Sequence, residues 1–200
     1  MTKRIRAYLL KQDPKLEAIL GLKLEFNLGV HGNRFEELAE SIVSQQLSGS
    51  AASAIRNRIN ALAKADKFPD PKTILKLKTE DLRKAGLSYA KVAYIKDLAE
   101  KTLAGEVEFD KFDQMTDEEI IMELTRVKGI GRWTAHMFLM FALGREDVWA
   151  IGDLGLKKGV QKLYNLKKLP DEKKMVTIGK KWIPYRSHVA LYLWRSLENR

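Results

Sequence analysis

Leu124-Thr125-Arg126-Val127-Lys128-Gly129-Ile130-Gly131-Arg132-Trp133-Thr134-Ala135 is the stretch on which the fold turns. Upstream of it, Thr116-Asp117-Glu118-Glu119 has the form of a capping box, and Ile120, Ile121, Leu124 and Val127 follow at helical spacing. The pattern predicts a helix that stops at Gly129. Downstream, residues 133–143 are apolar almost all round, which predicts a buried central helix. Gly129 and Gly131 let the backbone between the two helices turn tightly and approach a ligand closely. The first amides of the second helix have no intrahelical partner and stand at its positive dipole end, so they form an anion site. Lys128 and Arg132 add mobile charge beside it. Such a turn can hold a nucleic-acid phosphate without reading a base. A simple structural turn is the alternative.

Outward from this hairpin the chain keeps a helical period. Phe35, Leu38, Ala39, Ile42, Val43 and Leu47 make one apolar face, and Ala51, Ala52, Ile55, Ile59 and Leu62 a second. Pro69 and Pro71 break the pattern. Short helices are expected around 74–77 and 82–85, the latter stopped at Gly86, and a longer one through Val92, Ile95, Leu98 and Ala99. Gly152 and Asp153 precede another helix, Pro170-Asp171-Glu172 opens the next and Pro184 closes it, and 187–197 forms the last. Only 24–30 hints at a strand. Some ten helices on short connections predict a compact all-α fold.

Composition narrows the chemistry. The 200 residues contain no cysteine, which excludes disulfides, thiolate zinc sites, cysteine nucleophiles and cysteine-ligated iron–sulfur clusters. Three histidines, His31, His136 and His188, are too scattered in sequence to suggest a metal site. Lys and Arg number 36 against 26 Asp and Glu, a net charge of +10. A surplus of this size favours a polyanionic partner, nucleic acid first, over a basic enzyme with no such partner. No run approaches the ~20 apolar residues of a membrane span. The basic start lacks a signal-like apolar region. An intracellular protein is therefore expected, in the cytoplasm or the nucleus according to its host.

Asp153 follows an apolar loop and stands before or at a helix N-terminus, where the dipole and amide groups stabilise a carboxylate anion. A plain N-cap is the alternative. In context the residue gains a second meaning. Val127 to Ala135, the segment from Asp147 to Lys158, and Trp182-Ile183-Pro184-Tyr185-Arg186-Ser187 through Trp194 resemble the helix-hairpin-helix (HhH-GPD) DNA glycosylase superfamily. Within it, the resemblance is to the 3-methyladenine DNA glycosylase II branch, and it runs from about Phe35 to Leu197. It implies two helical lobes facing a central DNA-binding cleft, within a single catalytic unit spanning 1–200. Residues of about 35–113 would form one lobe, 1–34 with 114–200 the other, and 117–143 the helix-hairpin-helix.

The resemblance also implies an activity. Asp153 falls on the catalytic position, with Asp147 structural. The lysine used by branches that also cut the backbone is replaced by Trp133, so no lyase step is expected. The implied protein is a monofunctional glycosylase that flips out alkylated purines of the 3-methyladenine and 7-methylguanine type. It would hydrolyse their glycosidic bond, leave an abasic site and need no catalytic cofactor. Trp133 and Trp194 match pocket residues, and Met137 stands where the branch can carry a tyrosine. Core packing is the alternative for each tryptophan. Lys128, Gly129, Ile130, Gly131, Arg132 and Thr134 would hold DNA backbone. Gln45, Gln46, Leu47 and Ser48 lie in the implied wedge turn, with Gln46 or Leu47 as the wedge. Lys91 would touch phosphate. Main-chain carbonyls of Thr125, Val127 and Ile130 would hold a structural monovalent cation. The expected partner is damaged double-stranded DNA, with no membrane, bound by a monomer. A glycosylase for hypoxanthine or an etheno adduct, and a non-catalytic DNA-binding hairpin protein, are the other readings.

Overall fold

A computed structural model of the chain describes residues 1–24, 28–29 and 32–198. Within them the regular structure is helical throughout, in chain order α1 (Lys3–Gln12), α2 (Glu17–Leu20), α3 (Arg34–Ser44), α4 (Gly49–Ala63), α5 (Pro71–Lys76), α6 (Thr79–Lys84), α7 (Tyr89–Leu103), α8 (Asp117–Leu124), α9 (Arg132–Phe141), α10 (Leu154–Tyr164), α11 (Glu172–Gly179) and α12 (Arg186–Arg195). Short 3₁₀ turns join some of them. The strand suggested over 24–30 is absent at the described positions 24 and 28–29, and residues 25–27 and 30 of it lie outside the described residues.

Two compact units result, His31–Phe138 and a second made of Met1–Val30 with Leu139–Arg200. The division falls within α9, not near residue 113, so the hairpin belongs with the unit that holds α3 to α8. The reason is local. The hairpin is fastened to α7 by an amide–carboxylate bond and by a ring packed on a glycine, both described below.

In His31–Phe138, α7 is the central element, packed by α3, α5 and α6. Its inward residues Val92, Ile95, Leu98 and Ala99 are buried, as their spacing predicts. Phe109, Phe112 and Phe138 add an aromatic cluster, with ring centroids 5.3–6.1 Å apart. The Thr116–Glu119 capping box forms, with both its reciprocal bonds. The helix it starts ends at Leu124, before the expected Gly129, because beyond Thr125 the amides donate only three residues back, Arg126 to Glu123 (3.2 Å) and Val127 to Leu124 (3.1 Å), in tight turns. The expected buried helix is buried along Thr134, Ala135, Phe138, Leu139 and Met140, but Trp133 in its first turn is 54% exposed. Apolarity all round does not bury the first turn, which the hairpin holds at the surface.

In the other unit α10 packs on α12. Gly159 makes this possible, since a Cβ there would lie 2.9 Å from the Leu193 Cβ. Trp182 is fully buried and meets Trp149 edge-on at 5.2 Å. Both are core tryptophans. Trp149 donates to the Met175 carbonyl (2.9 Å) and Trp182 to buried Asp13 (3.2 Å).

Candidate active site

Asp153 is the N-cap of α10, and its Oδ1 accepts the Leu156 amide at 2.6 Å. The same oxygen accepts the indole N–H of Trp194 on α12 at 2.9 Å. These two donors fix the orientation of the carboxylate at the start of α10. Gly155 permits the arrangement, because a Cβ there would lie 2.8 Å from Trp194 Cδ1 and 3.0 Å from Asp153 Oδ1. Phe141 stacks on the Trp194 ring at 6.3 Å, fixing its plane. Trp194, expected in a base pocket, therefore also orients the carboxylate.

The loop that delivers Asp153 is tied down along its length. Buried Ser187 accepts the Val148 amide (2.8 Å) and donates to the Arg145 carbonyl (2.7 Å). Arg186 grips Asp147 through Nε (2.7 Å) and a terminal nitrogen (2.9 Å). Asp147 is thus a loop anchor. A Cβ at Gly179 would collide with the Trp149 indole at 2.6 Å, so that glycine lets α11 close over the loop.

In His31–Phe138 the hairpin turn is held from below by α7. Buried Asp97 accepts the Lys128 amide at 2.9 Å and stands 3.4 Å from the Lys128 ammonium and 3.8 Å from that of Lys101. Gly129 has φ +78°, and the Tyr94 ring lies where a side chain would begin, 2.1 Å from an ideal Cβ. Only glycine fits there. Ile130 and Thr134 are buried, so their side chains are not surface contacts. The Ala135 amide donates to the Gly131 carbonyl (3.0 Å), so the hairpin glycine stands at the N-terminal end of α9. Arg132 makes a two-pronged bond to Glu118 (2.8 and 2.9 Å), which lowers the Glu118 pKa and raises its own. Half-buried His136 is pushed towards its neutral form, first by burial and then by Arg132. Met137 is partly buried on the same helix.

The turn between α3 and α4 lies against this hairpin. Gln45 donates through Nε2 to the Gly129 carbonyl at 3.0 Å. Gln46 takes a left-handed conformation, φ +57°, and Leu47 is 41% exposed. Ser48 caps α4 by accepting the Ala51 amide. Lys91, expected at a phosphate, donates to the carbonyls of Val43 and Gln45 (both 2.7 Å), where it closes the end of α3. Partial burial lowers its pKa. Asp97, Tyr94, Glu118 and Gly155 are the site residues that the sequence does not reveal. Asp97 and Tyr94 share a face of α7 with Lys91, a spacing that signals a common neighbour without naming it.

The HhH-GPD profile, described as a superfamily of base excision DNA repair proteins, matches residues 39–185. The chain belongs to this superfamily. It is 36% identical to the DNA-3-methyladenine glycosylase 1 of Schizosaccharomyces pombe over 163 residues, 81% of this chain and 72% of that protein. The crystal structure of a DNA-3-methyladenine glycosidase from Bacillus halodurans is similar with a TM-score of 0.85 at 37% identity, covering 96% of this chain and 88% of that one. The S. pombe 3-methyladenine DNA glycosylase in complex with abasic DNA is similar with a TM-score of 0.83 at 31% identity, covering 97% and 96%. Among the described residues no helix is long and apolar enough to cross a membrane.

Proposed function

We propose that this protein is a monofunctional DNA glycosylase of base excision repair, which releases alkylated purines from duplex DNA and leaves an abasic site. The observation that carries this reading is the Asp153 carboxylate, fixed at the start of α10 by the Leu156 amide and the Trp194 indole. As the base departs, the sugar becomes oxocarbenium-like, and an oriented carboxylate stabilises the developing positive charge and can orient the attacking water. An alkylated purine is already cationic and leaves without a general acid. Trp133 occupies the position of a lyase lysine, so no Schiff base forms with the sugar. Its exposed indole suits a flipped cationic base, by stacking and cation–π attraction.

The hairpin 125–131 with Thr134 grips backbone phosphate through main-chain amides, aided by Lys128 and Arg132. Arg132 exchanges Glu118 for phosphate when DNA binds. Gln46 or Leu47 fills the gap left by the flipped base, with Gln45 and Ser48 shaping the turn. The Thr125, Val127 and Ile130 carbonyls are neutral oxygen donors, a set that fits a monovalent cation, which would add positive charge beside the phosphate.

The test is base release from methylated duplex DNA with and without alkali. Release with strand breaks only after alkali is the expected result. Asp153→Asn should bind the duplex as tightly as the wild type and release base at least about 100-fold more slowly. Wild-type release by this variant would overturn the mechanism. Binding without release by the wild type would overturn the activity.

A further inference from the structure

The charge surplus lies entirely in one of the two units. Met1–Val30 with Leu139–Arg200 carries nineteen Lys and Arg against nine Asp and Glu, whereas His31–Phe138 carries seventeen of each. The neutral unit holds the hairpin. The surplus is concentrated further, since residues 157–181 contain nine lysines, no arginine and only two acids, Asp171 and Glu172. Of these lysines all but half-buried Lys157 are exposed. Among the described residues Lys158, Lys167, Lys168, Lys173, Lys174 and Lys180 are in no ion pair within 4.0 Å. Asp171 is occupied as the N-cap of α11. Two ammonium groups from distant parts of the chain, Lys15 and Lys181, converge on the Tyr164 ring at 4.9 and 5.2 Å.

We infer that the lysine-bearing surface running from the end of α10 through α11 to Lys181 is a second DNA-contact surface. It takes the phosphates of the duplex flanking the reacting nucleotide. This rests on the glycosylase reading for the position of that nucleotide. Asp153 caps one end of α10 and Tyr164 ends the other, eleven residues later, or about 16 Å of helix. Duplex DNA carries a charge for each ~1.7 Å of its axis, so a duplex running along α10 would bring phosphates some five base pairs from a nucleotide at Asp153 to this distance. Lysines supply point charges without the fork that reads bases, which suits backbone attraction. Neither aromatic side chain of the segment stands exposed: Trp182 is buried, and Tyr164 is half-buried with its hydroxyl donating to Asp13. That arrangement fits a polyanion better than a lipid surface, which takes exposed aromatic anchors. The surface would supply the long-range, salt-sensitive part of binding, and the hairpin the register.

The experiment compares two fourfold variants of equal charge. One carries Lys167→Gln, Lys168→Gln, Lys173→Gln and Lys174→Gln. The other carries Lys67→Gln, Lys72→Gln, Lys76→Gln and Lys78→Gln, exposed lysines of the neutral unit. Binding to an undamaged 25-base-pair duplex is measured from about 50 to 200 mM salt, with circular dichroism and urea midpoints as fold controls. The first variant should lower the slope of log K against log salt by about one for each contacting lysine, and the second should leave it near wild type. Base release at saturating DNA should be unchanged in both. An unchanged slope in the first variant would overturn the proposal, as would equal losses in the two, which would mean net charge alone. A loss seen only on vesicles containing anionic lipid would also overturn it, in favour of a membrane surface. Undamaged DNA keeps this test separate from the glycosylase reading, which fails only if the wild type releases no base.

Discussion

The indole of Trp194 does two separable things: its ring stacks on Phe141 and its N–H donates to Asp153. Trp194→Phe keeps a ring and removes the donor. A hydrogen bond to a charged group contributes about 1.5–3 kcal/mol, so single-turnover base release should slow about tenfold or more while DNA affinity holds. A variant that instead loses affinity for lesion-containing DNA at an unchanged rate would make Trp194 a pocket residue only. Asp153 itself was legible at this scale. A carboxylate before a helix start has a local reason to be there, and it does cap α10. Gly155 was not legible, because the reason it lacks a side chain is an indole on another helix.

At the scale of elements, α7 ties the two loops of its unit together. Lys91 closes the end of α3, Tyr94 lies on Gly129, and Asp97 holds the Lys128 amide. Removing the carboxylate leaves a part-buried amide without its acceptor, a loss of about 1–3 kcal/mol. Asp97→Ala should therefore weaken DNA binding about tenfold through a looser hairpin, with base release at saturating DNA near wild type. Asp97→Asn retains an acceptor and should recover much of the affinity. Anisotropy titrations beside single-turnover kinetics separate the two effects, and a fall in rate alone would refute this account. The helices were largely legible, since apolar spacing and caps such as Thr116, Asp153 and Asp171 are local signals. The early end of α8 and the exposure of Trp133 were not. Both depend on how the hairpin sits on α7, which no helical period encodes.

At the scale of the molecule, the unit that bears Asp153 is assembled from both ends of the chain. Asp13 joins them. Its buried carboxylate accepts from Tyr164 at the end of α10 and from Trp182 after α11, while also capping the 3₁₀ turn through the Lys15 amide. Burial and then this bond raise the Tyr164 pKa, so the phenol stays a donor at neutral pH. Asp13→Ala should destabilise the protein by about 3 kcal/mol, read as a lower urea midpoint, because the buried Trp182 indole and the half-buried Tyr164 hydroxyl lose their acceptor. A midpoint within error of wild type would show that apolar packing alone joins the termini. From the sequence by itself came the all-helical class, the hairpin, the N-terminal position of Asp153 and the basic surplus. These follow from short-range spacing, capping chemistry and composition, which a linear chain displays. The indole that holds Asp153, the α7 carboxylate beneath the hairpin and the confinement of the surplus to one unit were decided only by tertiary structure. Each depends on residues far apart in the chain that meet only when helices pack, and pairwise burial and hydrogen bonding leave no periodic trace in sequence.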